Sequence, residues 1–231
     1  KDATALFRES GFQAFSKAIK AGAVTKVLPV PAEEAAVVSR KVISELETHA
    51  KQHGAGGLAW LRRSGDGFSG PIAKFLDNEL AGLRELAPDE GDLLLFVTAD
   101  WTTACTALGA VRLLLADQLG LRSGPGFSFL WVVDFPLFEQ DEAGGLSYMH
   151  HPFTMPVTED VHLLTDDPLA VRAQAYDLVL NGNEIGGGSI RIHDPEIQQQ
   201  VFEVLGFSDS EARERFGFFL DALEYGTPPH G

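Results

Sequence analysis

Two acids, three glycines and one arginine lie within a short stretch of this chain. Asp177 and Glu184 flank an Asn-Gly pair at 181–182, and that pair is typical of a tight β-hairpin turn. If it forms the turn, Val179 lies opposite Glu184, and Asp177 is a diagonal neighbour about 7–8 Å away at the backbone. Two carboxylates at that spacing can share one cation. The hairpin therefore predicts a candidate metal and nucleotide site, although surface hairpins also carry acids that bind nothing.

The glycines at 186–188 decide how Arg191 relates to this site. A strand without side chains lets a ligand approach its backbone closely, and the guanidinium fork of Arg191 suits a carboxylate or a phosphate. Strict alternation along a strand turns Arg191 away from the face of Glu184, because the two positions differ by an odd number. A β-bulge within the glycines would add one residue and restore the shared face. We therefore expect a break in strand pairing at residues 186–188.

The order of helices and strands changes at the Ser-Gly-Pro-Gly segment, residues 123–126, a typical linker. Before it, helices are expected at 3–21, 39–53, 77–86 and 102–119, and strands at 23–30, 58–61 and 92–98. After it, strands at 127–138 and 146–153 and the hairpin precede helices at 195–205 and 208–224. This order predicts an α+β protein, with an α/β unit first and an antiparallel layer second. The aromatic residues of 127–138 are expected in the core.

Composition excludes several classes of protein. The chain has 231 residues and a formal net charge of −15, which argues against broad binding of nucleic acid but leaves room for tRNA held by a local basic patch. Cys105 is the only cysteine and is expected to fill the core. No Cys and His set suits zinc. No apolar run is long enough to span a membrane, so a cytoplasmic protein is expected.

Several segments resemble the bacterial-type aspartyl-tRNA synthetases of class II, and the resemblance covers essentially the whole chain. In the second part the segments are WVVDFPLFE (131–139), MHHPFT (149–154) after an acidic-glycine turn, AYDLVLNGNEIGGGSIRIH (175–193) and RFGFFLDALEYGTPPHG (215–231). In the first part, LFRESGFQAF, GGLAWLR and GPIAKFL look like the insertion domain of the bacterial enzymes. The resemblance implies an insertion domain over 1–122 and part of the catalytic domain over 123–231.

The resemblance also implies roles for individual residues. Asp177 and Glu184 would bind the Mg²⁺ that accompanies ATP, with Glu184 also contacting the nucleotide, and Arg191 would hold the side-chain carboxylate of L-aspartate. His150 would contact aspartate, with His151 beside it. Because adjacent strand residues face opposite ways, one of the two histidines is expected to be structural. No side chain would act as a covalent catalyst.

The family's anticodon-binding domain and class II motifs one, two and three are not found in this sequence. The resemblance therefore implies a segment of a longer, homodimeric synthetase that does not charge tRNA by itself. An alternative hypothesis is a non-catalytic module that binds tRNA or protein, related to subunits of tRNA-dependent amidotransferases. That alternative leaves Asp177, Glu184 and Arg191 without a purpose.

Overall fold

The computed structural model describes residues 1–141, 144–228 and 230. The chain forms two compact units, Lys1–Gly124 and Pro125–Gly231. The division between them falls within the predicted linker at 123–126. Both units combine helices with antiparallel sheet, so the α+β prediction is confirmed. Within the described residues no helix is long and apolar enough to cross a membrane.

The first unit is built around a sheet with the strand order β1-β4-β2-β3. Its strands are β1 (Val24–Val30), β2 (Ala59–Ser64), β3 (Gly67–Ser69) and β4 (Leu93–Ala99). Its helices are α1 (Thr4–Arg8), α2 (Gln13–Lys20), α3 (Ala32–Ala35), α4 (Arg40–Gln52), α5 (Leu80–Leu86) and α6 (Trp101–Gln118), with a short 3-10 helix at Ala73–Phe75. Although helices alternate with strands along the chain, the neighbouring strands all pair antiparallel.

Strand β4 is the centre of this unit because both of its faces are covered. Leu93, Leu95 and Val97 belong to the core that includes residues of α4 and α6. The alternate residues Leu94 and Phe96 belong to a second core with residues of α1, α2 and α5. All five side chains are fully buried. A strand buried on both faces is apolar throughout, which explains the unbroken run of hydrophobic residues.

Local signals set the ends of the long helices. The Ser39 hydroxyl accepts a hydrogen bond from the backbone N–H of Val42 at the start of α4, and the Asp100 carboxylate does the same for Thr103 in α6. Hydrogen bonds from the side chain and then from the backbone N–H of Thr103 lower the pKa of the Asp100 carboxyl below its usual value. Both residues are favoured N-caps because their side chains satisfy a free N–H of the first turn.

The single helix predicted over 3–21 is wrong, since α1 and α2 are separate helices. Between them Gly11 lies against the 3-10 helix, where a Cβ would come 3.0 Å from the carbonyl oxygen of Phe75. Phe12 stacks on the Phe75 ring at 5.6 Å. Packing of a segment distant in sequence therefore interrupts the helical pattern.

The second unit contains two small antiparallel sheets and a helical layer. One sheet has the order β5-β8-β9, and the other pairs β6 with β7. The strands are β5 (Phe129–Val132), β6 (Phe138–Gln140), β7 (Leu146–Tyr148), β8 (Ala175–Leu180) and β9 (Asn183–Ser189). The helices are α7 (Leu163–Asp166), α8 (Pro195–Val204) and α9 (Asp209–Glu224), with 3-10 helices at Thr158–Asp160 and Pro168–Ala170. The acidic-glycine turn includes Glu142 and Ala143, and the final loop includes Pro229 and Gly231, which lie outside the described residues.

The aromatic strand does not match its prediction. The expected strand over 127–138 is divided into β5 and β6, with Asp134 at a positive φ of 59° between them. Phe127, Phe129 and Trp131 are 81%, 60% and 61% exposed. The core prediction is therefore wrong for these three rings, which lie on or beside the edge strand β5. Phe138, in β6, is buried as expected.

We expect residues 1–124 to fold without the rest of the chain, because both faces of their sheet are covered by their own helices. Expressed alone, this unit should unfold in one cooperative transition in urea. Leu95→Ala should lower its free energy of unfolding by about 2–5 kcal/mol. Leu113→Ala, which truncates a leucine that is 44% exposed on α6, is the matched control and should have a much smaller effect. A non-cooperative transition would contradict the prediction.

Candidate functional site

The turn between β8 and β9 fixes the candidate site. Asn181 and Gly182 both adopt positive φ, at 49° and 83°, as a two-residue type I′ hairpin turn requires. The Asn181 side chain accepts a hydrogen bond from the Ser128 N–H at 2.9 Å and donates one to the Gly126 carbonyl at 3.0 Å. The turn predicted from the Asn-Gly pair is therefore present and is tied to the segment that precedes β5.

One extra residue in β9 changes which side chains share a face. Val179 pairs with Glu184, as predicted, but the next pair along the ladder joins Leu178 to Gly186. Ile185 is thus the bulged residue. The predicted bulge exists but lies one position before the glycines rather than within them. After the bulge, alternation places Gly187 and Ser189 on the face of Glu184. Arg191 is two residues after Ser189, so continued alternation would place it on the same face.

The two acidic side chains meet above Gly187. A Cβ built on this glycine would lie 3.3 Å from Oε1 of Glu184 and still closer to Oδ1 of Asp177. Both carboxylates therefore lie over one face of the hairpin, which confirms the predicted shared face. Asp177 is half-buried and Glu184 is exposed. The absence of a side chain at Gly187 leaves the space that the Asp177 carboxylate occupies.

The other two glycines have different roles. A Cβ on Gly188 would meet the Tyr176 hydroxyl at 2.9 Å, so this glycine makes room for the tyrosine of the facing strand. Gly186 has no heavy atom within 4 Å of its Cβ position. Two of the three glycines are therefore explained by side chains of the hairpin itself, and only Gly186 leaves backbone open.

Arg191 lies beyond the end of β9 and is half-buried. It forms a β-bridge with Thr154, and its backbone N–H donates to the carbonyl of His230 at 2.7 Å. Its guanidinium contacts the Ser189 hydroxyl and Nε2 of His151. Ser189 is not among the site residues predicted from the sequence. Its position two residues before Arg191 could have indicated it, because residues two apart on a strand lie on the same face.

The two histidines lie in different surroundings. His150 is exposed and packs edge-on against Phe135, with the ring centres 4.9 Å apart. His151, not His150, contacts Arg191. The backbone nitrogen of Phe153 lies 3.2 Å from Nδ1 of the His151 ring. Burial lowers the pKa of His151, and the positive charge of Arg191 lowers it further.

A neutral imidazole beside Arg191 has a clear physical function. Neutral His151 can accept a hydrogen bond from the guanidinium, whereas a protonated ring would repel it. The contact with Ser189 restrains the guanidinium from a second direction. Neither contact is a carboxylate, so the positive charge of Arg191 remains available to an anion.

Arg191 is one of the residues that line a cavity of about 420 Å³. The other lining residues are Phe153, Arg215, Phe216, Phe218, Phe219 and His230. The walls therefore combine aromatic rings with two arginines and contain no carboxylate among the described residues. Such a cavity favours an anion that also has an apolar or flat part.

The described residues contain no group of three or more His, Cys, Asp or Glu that could hold a metal. The hairpin supplies two carboxylates, Asp177 and Glu184. Mg²⁺ commonly binds one or two protein carboxylates and takes its other oxygens from phosphates and water. The pair over Gly187 therefore fits a magnesium ion that arrives with a nucleotide, and does not fit a closed all-protein metal site.

The comparisons with known proteins agree on one family. The family model for tRNA synthetases class II (D, K and N) matches residues 34–231. An aspartate–tRNA(Asp) ligase of Deinococcus radiodurans is 55% identical over all of this chain, and an aspartate–tRNA ligase of Geobacillus kaustophilus is 52% identical over all of it. An aspartate–tRNA(Asp/Asn) ligase of Anoxybacillus flavithermus is 50% identical over 97% of the chain. The chain spans 39% of the length of the first two relatives.

Gly187→Ala tests the arrangement of the two carboxylates. The new methyl group would overlap Asp177 Oδ1, so the carboxylate must turn away or the strands must separate. We expect weaker binding of Mn²⁺, used as a paramagnetic probe for the pair, and a loss of stability of about 1–3 kcal/mol if the strands separate. Gly186→Ala is the matched control, because nothing lies near its Cβ position. Equal effects of the two substitutions would contradict the arrangement.

The imidazole of His151 should titrate below the ordinary value of about 6.5. The folded state then binds fewer protons than the unfolded state, so this group's contribution to stability is present above the unfolded pKa and is lost as pH falls through that value toward the folded pKa. NMR titration of the ring protons measures the pKa directly. Arg191→Gln should raise the His151 pKa by removing a positive charge, without restoring the unburied value. A pKa unchanged by that substitution would contradict the contact.

Proposed function

The chain belongs to the class II tRNA synthetases of the D, K and N group, and we propose that it is a segment of an aspartate–tRNA ligase. The activity is the activation of L-aspartate by ATP and the transfer of aspartate to tRNA. The observation that carries the proposal is the meeting of Asp177 and Glu184 on one face of the hairpin. The bulge at Ile185 places Ser189, which contacts the Arg191 guanidinium, on that same face. The names of the close relatives support the choice of aspartate.

The proposed reaction has two steps. In the first, an α-carboxylate oxygen of aspartate bonds to the α-phosphorus of ATP, and the bond to the pyrophosphate group breaks. In the second, a hydroxyl of the terminal tRNA ribose gives up its proton to solvent and bonds to the activated carbonyl carbon, and AMP leaves with the electrons of the broken bond. This chain's residues bind and orient the reactants, since positioning and charge complementarity can supply a large part of such catalysis.

Arg191 is the proposed contact for the side-chain carboxylate of aspartate. Its guanidinium carries a charge without a carboxylate partner among the described residues, and two neutral groups, Ser189 and His151, restrain it. The planar fork fits a carboxylate with two parallel hydrogen bonds. We keep His150 as a proposed aspartate contact, and we add His151 as the residue that holds the guanidinium in place.

Asp177 and Glu184 are the proposed carboxylates for Mg²⁺–ATP, with Glu184 also close to the nucleotide. The support is their meeting point over Gly187, where no side chain intervenes. When bound, the magnesium ion would neutralise phosphate charge. The two carboxylates would fix the position of the nucleotide phosphates relative to Arg191.

The remaining proposals follow from the family. The partners are L-aspartate, ATP, tRNA and a second copy of the full-length protein, and the compartment is the cytoplasm. The first unit is proposed as the bacterial insertion domain. Because the chain spans 39% of its relatives' length, each of these is tested in the full-length protein that carries the segment.

Arg191→Lys tests the choice of amino acid. An ammonium group keeps the charge but cannot form the paired hydrogen bonds of a guanidinium. In the full-length protein we expect the KM for aspartate in ATP–pyrophosphate exchange to rise by roughly 10- to 100-fold, the scale of a lost charge-assisted hydrogen bond, with the KM for ATP nearly unchanged. Arg213→Lys on α9 is the control. An unchanged KM for aspartate would refute the assignment of Arg191.

Glu184→Gln tests the nucleotide site. Loss of one anionic ligand should raise the Mg²⁺ concentration needed for half-maximal exchange and slow formation of the adenylate, while the KM for aspartate changes little. Glu203→Gln removes an exposed acid of α8 and is the matched control. If the unsubstituted full-length protein shows no aspartate-dependent exchange, the proposed function itself is wrong.

A further inference from the structure

The arginines of the second unit fall into two groups. Residues 125–231 contain eighteen Asp and Glu but only four arginines and no lysine. Arg172 is paired with Asp160 and Asp134, and Arg213 is paired with Asp221 and Glu224. Among the described residues, Arg191 and Arg215 form no ion pair with a carboxylate. In a unit so rich in acids, this separation requires an explanation.

Both of the arginines without a carboxylate line the cavity of about 420 Å³, together with His230 and four phenylalanines. They come from different elements, since Arg191 follows β9 and Arg215 lies on α9. Bringing two guanidinium groups to one cavity costs electrostatic energy unless an anion is bound between them or beside them. The proposed function accounts for Arg191 but gives no role to Arg215.

The environment of Arg215 keeps its guanidinium available. Its guanidinium carbon lies 5.5 Å from the centre of the Phe207 ring, a cation–π contact that supports the side chain without neutralising it. Glu211, one turn earlier on α9, is held by the capping box with Ser208. Hydrogen bonds of Ser208 lower the pKa of Glu211 and the charge of Arg215 lowers it further, but the two side chains form no ion pair in the described structure. Phe218 and Phe219 follow Arg215 at helical spacing on the same side of α9, and both line the cavity.

We propose that Arg215 binds a phosphate group of the nucleotide substrate, as a second anion contact beside the aspartate site of Arg191. The proposal rests on the proposed function for the identity of the nucleotide. A cation next to an exposed aromatic ring, here Phe218 at 80% exposure, suits a phosphate with a nucleoside attached, because the ring can stack on the base. The phosphate comes either from ATP and its adenylate or from the 3′ end of tRNA.

The direct test measures ligand binding to the 231-residue chain and needs no catalysis. Binding of AMP and of adenosine is followed by NMR for the unsubstituted chain, Arg215→Gln and Arg213→Gln. We expect Arg215→Gln to weaken AMP binding about tenfold and to leave adenosine binding unchanged, because only AMP carries a phosphate. Arg213→Gln removes a neighbouring arginine that is already ion-paired and should change neither. Equal losses for both variants, or no detectable binding of AMP by the unsubstituted chain, would overturn the proposal.

Two further measurements complete the test. Arg215→Lys keeps the charge and should retain part of the AMP affinity. If the folded Arg215→Lys variant binds AMP no more tightly than Arg215→Gln, the phosphate contact is contradicted. In the full-length protein, a raised KM for ATP in pyrophosphate exchange assigns the phosphate to ATP, and a raised KM for tRNA in charging alone assigns it to tRNA. A change confined to the KM for aspartate would place both arginines on one carboxylate and overturn the proposal. Failure of the proposed function is a separate result: the unsubstituted full-length protein would then show no aspartate-dependent ATP–pyrophosphate exchange.

Discussion

The bulged residue Ile185 determines which side chains of β9 can act together. Without it, Gly187, Ser189 and Arg191 would lie on the opposite face from Glu184, because side chains alternate along a strand. With it, the acids of the hairpin share one face with Ser189, whose hydroxyl contacts the Arg191 guanidinium beyond the end of the strand. The hairpin turn at Asn181–Gly182 supports this arrangement by fixing the pairing of Val179 with Glu184 from the other end of the ladder.

The glycines after the bulge give the site its space. Gly187 allows the Asp177 carboxylate to lie over the strand beside Glu184, and Gly188 leaves room for the Tyr176 ring. Neither glycine has a positive φ in this structure, so both are required by close approach and not by an unusual backbone angle. A methyl group at either position would have to displace a neighbouring side chain.

Charge pairing separates structural arginines from those free to bind a ligand. The guanidinium of Arg172 binds both oxygens of the buried Asp160, with Nε–Oδ2 at 2.7 Å and a second contact at 3.0 Å. The hydrogen bonds from Arg172 hold the pKa of the Asp160 carboxyl below its usual value. This pair joins the segment before α7 to the chain before β8. Arg191 instead contacts a hydroxyl and an imidazole, which orient the guanidinium and leave its charge uncompensated.

The sequence by itself determined the local features of the fold. The Asn-Gly turn, the caps at Ser39 and Ser208, the long apolar helix α6 and the linker at 123–126 each depend on residues close together in the chain, so their patterns were sufficient. The shared face of Asp177 and Glu184 also followed from the turn register alone. The resemblance of its segments to a known family supplied the candidate roles, which the geometry of the hairpin now supports.

Tertiary structure decided the features that depend on distant contacts. The break between α1 and α2 comes from packing against Phe75, and the exposure of Trp131 comes from its place on an edge strand. The position of the bulge is set by pairing with β8, in which Val179 lies opposite Glu184 and Leu178 lies opposite Gly186, so that Ile185 has no partner in the ladder. The choice of His151 over His150 as the partner of Arg191 could not be made from two adjacent, identical residues. It depends on where Thr154 pairs with Arg191, and a bridge between residues so far apart in sequence forms only in the folded chain.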